Sequence, residues 1–191
     1  MTNILRANMI ALPSLLIALM VATRYHHFGD VLHLPDASLA VFFLAGYSRS
    51  LPYRKAFFGF LLLMAGLIDY AAISAGTSAW CVSPAYIFLA PTYGLMWWGG
   101  HLAASLQPQA FGLIKTVIMT LPATLAAFIL SNLSFYWFSG KFVDMGLIEY
   151  ASRVAKYFPQ YLGAAVFYVL CALVIVKVFG LVKAKSLSVH E

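Results

Sequence analysis

The chain has 191 residues, of which 63% are hydrophobic and 9% are charged, with a formal net charge of +6. Soluble domains are about half apolar and about a quarter charged, so this composition excludes an ordinary soluble protein and predicts an integral membrane protein. The length suits a single domain, residues 1–191. The apolar runs are continuous rather than alternating, which favours helices over a strand barrel. Because the basic residues lie at the ends of these runs, the positive charge indicates anionic lipid, not nucleic acid, as a partner.

The apolar runs predict six membrane-spanning helices, at roughly residues 7–24, 37–50, 56–74, 85–104, 111–133 and 157–180. The first run follows Arg6 but lacks a cleavage site, so we expect it to be a retained span. With the N-terminus placed inside, eight of the 12 Lys and Arg residues fall on the inner side, and four fall on the outer side: Arg24, Lys141, Arg153 and Lys156. Lys and Arg are enriched on the cytoplasmic side, so both termini are predicted to be cytoplasmic. The predicted fold is therefore an all-α integral membrane bundle of six transmembrane helices, with a frayed tail at roughly 183–191.

The connection between the third and fourth spans reads SAGTSAWCVSPAYIF and contains Cys81. The chain has only two cysteines, so a disulfide framework is not indicated. Cys171 lies inside the apolar run FYVLCALVIV and is interpreted as a packing residue. Cys81 has two interpretations: an inert small hydrophobe, or a soft thiolate ligand for a transition metal.

Three histidines, His26, His27 and His33, lie in the connection after the first span, on the predicted outer side with Cys81. Zinc or copper is one interpretation, but a structural zinc site needs about four ligands in tetrahedral geometry, and no such spacing is present. Histidines that form hydrogen bonds at the membrane interface are the default interpretation. His101 is predicted near the cytoplasmic end of the fourth span, away from the others.

Asp69 is an acid well inside an apolar span, in LLLMAGLIDYAAISAG, and an intramembrane acid is a functional candidate. One interpretation is a protonated carboxyl group that forms a hydrogen bond with a neighbouring helix. The other is a group that accepts a bond from a polar ligand or orients Tyr86 near Cys81. The many aromatic residues predicted near the outer side fit an interfacial belt, or in part a pocket for a large, flat ligand.

Small residues recur at a spacing of four in the first span, as the pairs Ala7–Ala11 and Ala18–Ala22. This spacing permits close approach of another helix in lipid. The chain contains no Walker A sequence, no H-E-x-x-H and no G-x-S-x-G, so no energising or catalytic motif accompanies the spans.

The six predicted spans, the small-residue first span and the W-C-V-S-P-A-Y loop resemble the substrate-binding S-components of energy-coupling factor (ECF) transporters. The Cys81 loop is similar to that of the solitary, cobalamin-specific BtuM family. The resemblance implies an outward-open cup in the cell inner membrane, a transmembrane coupling protein and two cytoplasmic ATPases as partners, and cobalamin as the transported substrate. It implies that Cys81 ligates the cobalt, and that the stripe Ala7, Ala11, Ala18 and Ala22 docks on the coupling protein.

Further expectations come from position in the chain. Asp69 and Tyr86 are expected near the ligand and, with Cys81, to take part in removing cyanide from cyanocobalamin. The peripheral amides of the corrin need hydrogen-bonding partners, for which the candidates are Ser78, Ser83, Tyr86, Asp30 and Asp36. Two alternatives stay open: a small membrane redox protein that binds haem or copper through His and Cys, and a structural subunit without a ligand.

Overall fold

The structure is a computed structural model that describes residues 2–25, 34–49, 51, 53–105 and 112–188, with side chains for all of these except 2–10, 113 and 179–188. The described chain is helical and contains no strand, as predicted. Two 3-10 turns, Ala79–Cys81 and Pro84–Phe88, lie between the third and fourth helices. The helices are α1 (Thr2–Arg24), α2 (Ser38–Tyr47), α3 (Arg54–Ser74), α4 (Leu89–Ser105), α5 (Gly112–Phe138), α6 (Leu147–Ala155) and α7 (Phe158–Ser188).

Three helical segments, in α3, α5 and α7, are long and apolar enough to cross a membrane: Arg54–Ser74, Ile114–Phe138 and Phe158–Val178. Their large apolar side chains face outward; Leu63 is 60% exposed and Val176 is 68% exposed. Such a surface is unfavourable in water but not in lipid, so the chain is a membrane protein.

The other three predicted spans also coincide with helices, but none of these is among the three candidate spans within the described side chains. Within the described side chains, Ala11–Arg24 of α1 and all of α2 are shorter apolar helices, and α4 has 17 residues. The six-span count and the cytoplasmic termini therefore stay predictions.

Several helix boundaries differ from the predicted ones. The fourth span was predicted from residue 85, but α4 begins at Leu89 because Pro84 opens a 3-10 turn after an extended Ser83. The long connection after α5 contains α6, a helix with separate apolar and polar faces. At the C-terminus α7 continues through Ser188, into the segment for which a frayed tail is predicted.

α2 is the central helix of the bundle, and eight of its ten residues are buried. A helix that is apolar all round is buried in a protein core or in lipid, and α2 is enclosed by α1, α3, α4 and α7. Phe42 stacks on Tyr93 of α4 with ring centroids 4.2 Å apart. A Cβ atom on Gly100 would overlap the backbone carbonyl of Phe43, so the glycine lets α2 and α4 approach closely.

The two ends of the bundle differ in chemistry. At the end that holds the α2–α3 connection, Arg49 donates to the Ala104 carbonyl oxygen and Arg54 to the Gly46 carbonyl oxygen. These basic residues satisfy carbonyl groups at the C-terminal ends of helices, where a positive charge is favourable. The opposite end carries the α3–α4 turns and the α5–α6 connection, and a cavity opens there.

Candidate functional site

A cavity of about 720 Å³ lies at this end of the bundle, between the α3–α4 turns, α5, α6 and the start of α7. Its volume is within the range of about 300–1,000 Å³ that is usual for ligand sites. Ten of its 23 lining residues are aromatic, which suits a large ligand with flat faces. The aromatic side chains of the wall are Trp80, Tyr86, Phe88, Tyr93, Phe128, Phe135, Phe142, Tyr150, Tyr157 and Tyr161.

Cys81 is the last residue of the first 3-10 turn, and its exposed side chain lines the cavity. The Ser78 hydroxyl group accepts a hydrogen bond from the Trp80 backbone N–H at 3.2 Å and so caps the turn. Lys141, in the α5–α6 connection, donates to the Trp80 carbonyl oxygen, and its Nζ lies 3.7 Å from the centroid of the Trp80 ring. The turn that carries the thiol is therefore attached to the connection on the other side of the cavity.

The environment of Cys81 keeps its thiol protonated. Desolvation is the main cause that raises the pKa of Cys81 above its ordinary value; the positive charge of Lys141 acts against this, and the charge of Asp69 adds to it. A thiolate is the form that binds metals, so ligation by Cys81 must displace a proton.

A buried cluster of charged groups forms the polar end of the cavity. Arg24, at the end of α1, is 7% exposed, and its Nε and Nη2 each donate to a carboxylate oxygen of Asp69 at 2.7 Å. Its Nη1 donates to the Tyr93 hydroxyl group at 2.6 Å and to the Ser38 hydroxyl group at 3.0 Å. The same Nη1 lies 3.4 Å from a carboxylate oxygen of Asp36. We call Arg24, Asp36 and Asp69 the Arg24 cluster.

Asp69 also accepts a hydrogen bond of 2.7 Å from the Tyr86 hydroxyl group. It therefore joins Arg24 of α1 to Tyr86, which stands in the second 3-10 turn and lines the cavity. The contact is of the kind expected if Asp69 orients Tyr86. Asp69 also pairs with Arg24 of another helix. It therefore combines features of both interpretations from the sequence: a bond to a neighbouring helix and a contact that orients Tyr86.

The other residues predicted for the site are placed differently. Asp36 lines the cavity, whereas Ser78 and Ser83 are not among its lining residues. The Ser83 hydroxyl group is buried and has no hydrogen-bond partner among the described residues. Asp30 lies outside the described residues, as do the three histidines His26, His27 and His33. His101 is exposed in the last turns of α4, away from the cavity lining, and Cys171 is half-buried in α7.

Two functional candidates were missed in the sequence, Arg24 and Lys141. Arg24 was assigned only to the charge count of the outer side, although an acid inside a span requires a basic or polar partner at the same depth. The basic residue that ends the first span was the available signal. For Lys141 the sequence carries no signal, because its contact with Trp80 joins residues 61 positions apart.

Within the described part of the chain, no group of three or more His, Cys, Asp and Glu side chains is arranged to hold a metal ion. The cavity offers one thiol instead. No protein-family model matches the chain, and no curated protein matches it significantly.

Proposed function

We propose that the protein is the substrate-binding S-component of an ECF-type transporter, that it captures cobalamin for uptake across the inner membrane, and that Cys81 binds the cobalt. The observation that carries the proposal is a single thiol in the wall of a large aromatic cavity. A corrin ring supplies the equatorial nitrogen ligands of its cobalt, so one thiolate completes an axial site without any other protein ligand.

The remainder of the cavity supports a ligand of this kind. The aromatic wall offers flat apolar surface to the faces of a macrocycle. The peripheral amides of the ring need polar partners, which the Arg24 cluster, Tyr86 and Asn132 offer at the cavity wall. The three histidines on which a haem or copper site would depend lie outside the described residues, so the titration below decides between the two ligands.

Ligation of cobalt by Cys81 must displace one axial group of the substrate, either the tethered benzimidazole or an upper ligand such as cyanide, and we propose that cyanide is the group that leaves cyanocobalamin. The thiol loses its proton, the sulfur forms a bond to Co(III), and the cobalt–carbon bond to cyanide breaks. Cyanide leaves with the bonding electron pair and takes the proton as hydrogen cyanide, so cobalt is neither oxidised nor reduced. Asp69 and Tyr86 are proposed to assist at this site, as a hydrogen-bonded pair that lines the same cavity as Cys81.

Partners follow from the outer face of α1. Ala11, Ala18 and Ala22 are all exposed, and the side chain of Ala7 lies outside the described residues. An exposed row of small residues on a lipid-facing helix lets another helix approach closely. We propose that this row docks on the transmembrane coupling protein, which links the S-component to two cytoplasmic ATPases.

Titration of the purified protein with cyanocobalamin tests the proposal. Wild type is expected to shift the visible spectrum of the corrin, and Cys81→Ala is expected not to. Cys171→Ala is the matched control, because it removes a thiol that does not line the cavity, and it should behave as wild type. Identical spectra for wild type and Cys81→Ala would refute cobalt ligation, and a spectral response to haem instead of cobalamin would favour the redox alternative.

A further inference from the structure

The Arg24 cluster holds two acids and one base, and its carboxylates are more accessible than its guanidinium group. The side chains of Asp36 and Asp69 are 18% and 15% exposed, whereas that of Arg24 is 7% exposed. All three line the cavity. A ligand that reaches this end therefore meets an excess of negative charge.

The hydrogen bonds within the cluster also leave acceptors, not donors, for a ligand. The Arg24 guanidinium group already donates to Asp69 through two nitrogens, and its third nitrogen serves Tyr93 and Ser38. An ionised carboxylate has about four acceptor positions. Among the described residues, the Oδ2 of Asp36 has a single hydrogen-bond contact, to Arg24 at the long distance of 3.4 Å. The unused capacity of the cluster is therefore that of an acceptor.

The basic residues that line the rest of the cavity do not cancel the negative charge of the Arg24 cluster. Arg153 and Lys156 belong to α6 and its C-terminal boundary, and both are exposed. Arg153 already forms an ion pair with Glu149 at 2.7 Å. The Arg24 cluster thus differs in charge and in burial from the α6 side of the cavity.

We infer that the Arg24 cluster is a specificity determinant of the cavity: it accepts N–H donors or cationic groups of the ligand and rejects carboxylates. The inference rests on the proposed function, in which the groups that reach the cluster are the peripheral amides of a corrin. An amide N–H donates to the free acceptor position of Asp36. A carboxylate at the same place offers no donor and is repelled by both acids, with little solvent to screen them.

Cobalamin monocarboxylates, in which one peripheral amide is hydrolysed to an acid, are the probes that test this inference. Wild type should bind at least one positional isomer about tenfold or more weakly than cobalamin. Asp36→Asn removes one charge and keeps an oxygen that can accept from Ser38, so it should reduce the affinity ratio of cobalamin to that isomer. Asp144→Asn is the matched control, because Asp144 is exposed and does not line the cavity, and its ratio should equal that of wild type.

The inference is overturned if wild type binds every isomer as tightly as cobalamin, or if the ratio is the same in wild type, Asp36→Asn and Asp69→Asn. The wild-type comparison needs no variant to fold. A control titration with cobalamin distinguishes the two failures. If cobalamin does not bind, the proposed function fails. If cobalamin binds but every isomer binds equally tightly, only the inference fails.

Discussion

Replacing Arg24 by Met removes a buried cation and leaves the Asp69 carboxylate with only the hydrogen bond from Tyr86, without the two of 2.7 Å from Arg24. Methionine retains most of the side-chain volume, so the change is chiefly electrostatic. Breaking a buried pair by removing one partner costs about 3–5 kcal/mol, because the remaining charge is unpaired at low dielectric. Arg24→Lys keeps the charge but not the two-pronged geometry, and should cost less, about 1.5–3 kcal/mol.

The chain offers a matched control for this prediction. Arg153 and Glu149 form an ion pair with the same 2.7 Å distance, but their side chains are 59% and 54% exposed. An exposed pair contributes about 0–1 kcal/mol, so Arg153→Gln should be nearly neutral. The free energy of unfolding, measured by denaturant titration in detergent micelles, compares the two variants.

A double variant tests whether the cost comes from the unpaired carboxylate. Arg24→Met combined with Asp69→Asn should recover part of the stability lost in Arg24→Met, since the buried charge has then been removed too. Equal losses in Arg24→Met and Arg153→Gln would refute the view that burial makes this pair important. Strictly additive losses in the double variant would refute the coupling between Arg24 and Asp69.

Two further predictions concern ligand binding and docking. Aquocobalamin has no cyanide to take up the Cys81 proton, so its affinity should rise about tenfold per pH unit between about pH 5.5 and pH 7, below the raised pKa of the thiol. In spectral titrations, the affinity of wild type for cyanocobalamin should depend less on pH. If the affinity of Cys81→Ala for aquocobalamin rose with pH as steeply as that of wild type, the prediction would be contradicted. Ala18→Leu should abolish uptake in cells and leave cobalamin binding intact, whereas Ala71→Leu, at an exposed position of α3, should not. Normal uptake by Ala18→Leu would place the docking surface elsewhere.

The membrane class and the approximate helices could be predicted from the sequence, because both depend on local composition. Long apolar runs need helical backbone in lipid whatever surrounds them, and the all-helical prediction is confirmed. The predicted fourth span begins at residue 85, whereas α4 begins at Leu89, because hydropathy does not distinguish the 3-10 turn Pro84–Phe88 from the α-helix that follows it. Likewise, length alone did not indicate that α2 is enclosed by other helices.

The sequence indicated three site residues from their local surroundings. Cys81 is a thiol in a loop, Asp69 is an acid in an apolar run, and Tyr86 is an aromatic residue in the same connection as Cys81. Only the tertiary structure decided that Arg24 lies between Asp69 and Asp36. Those contacts join α1 to residues 45 and 12 positions away in the chain. The physical reason is that a buried charge is stable only beside its partners, and helix packing, which no local pattern encodes, determines which partners it meets.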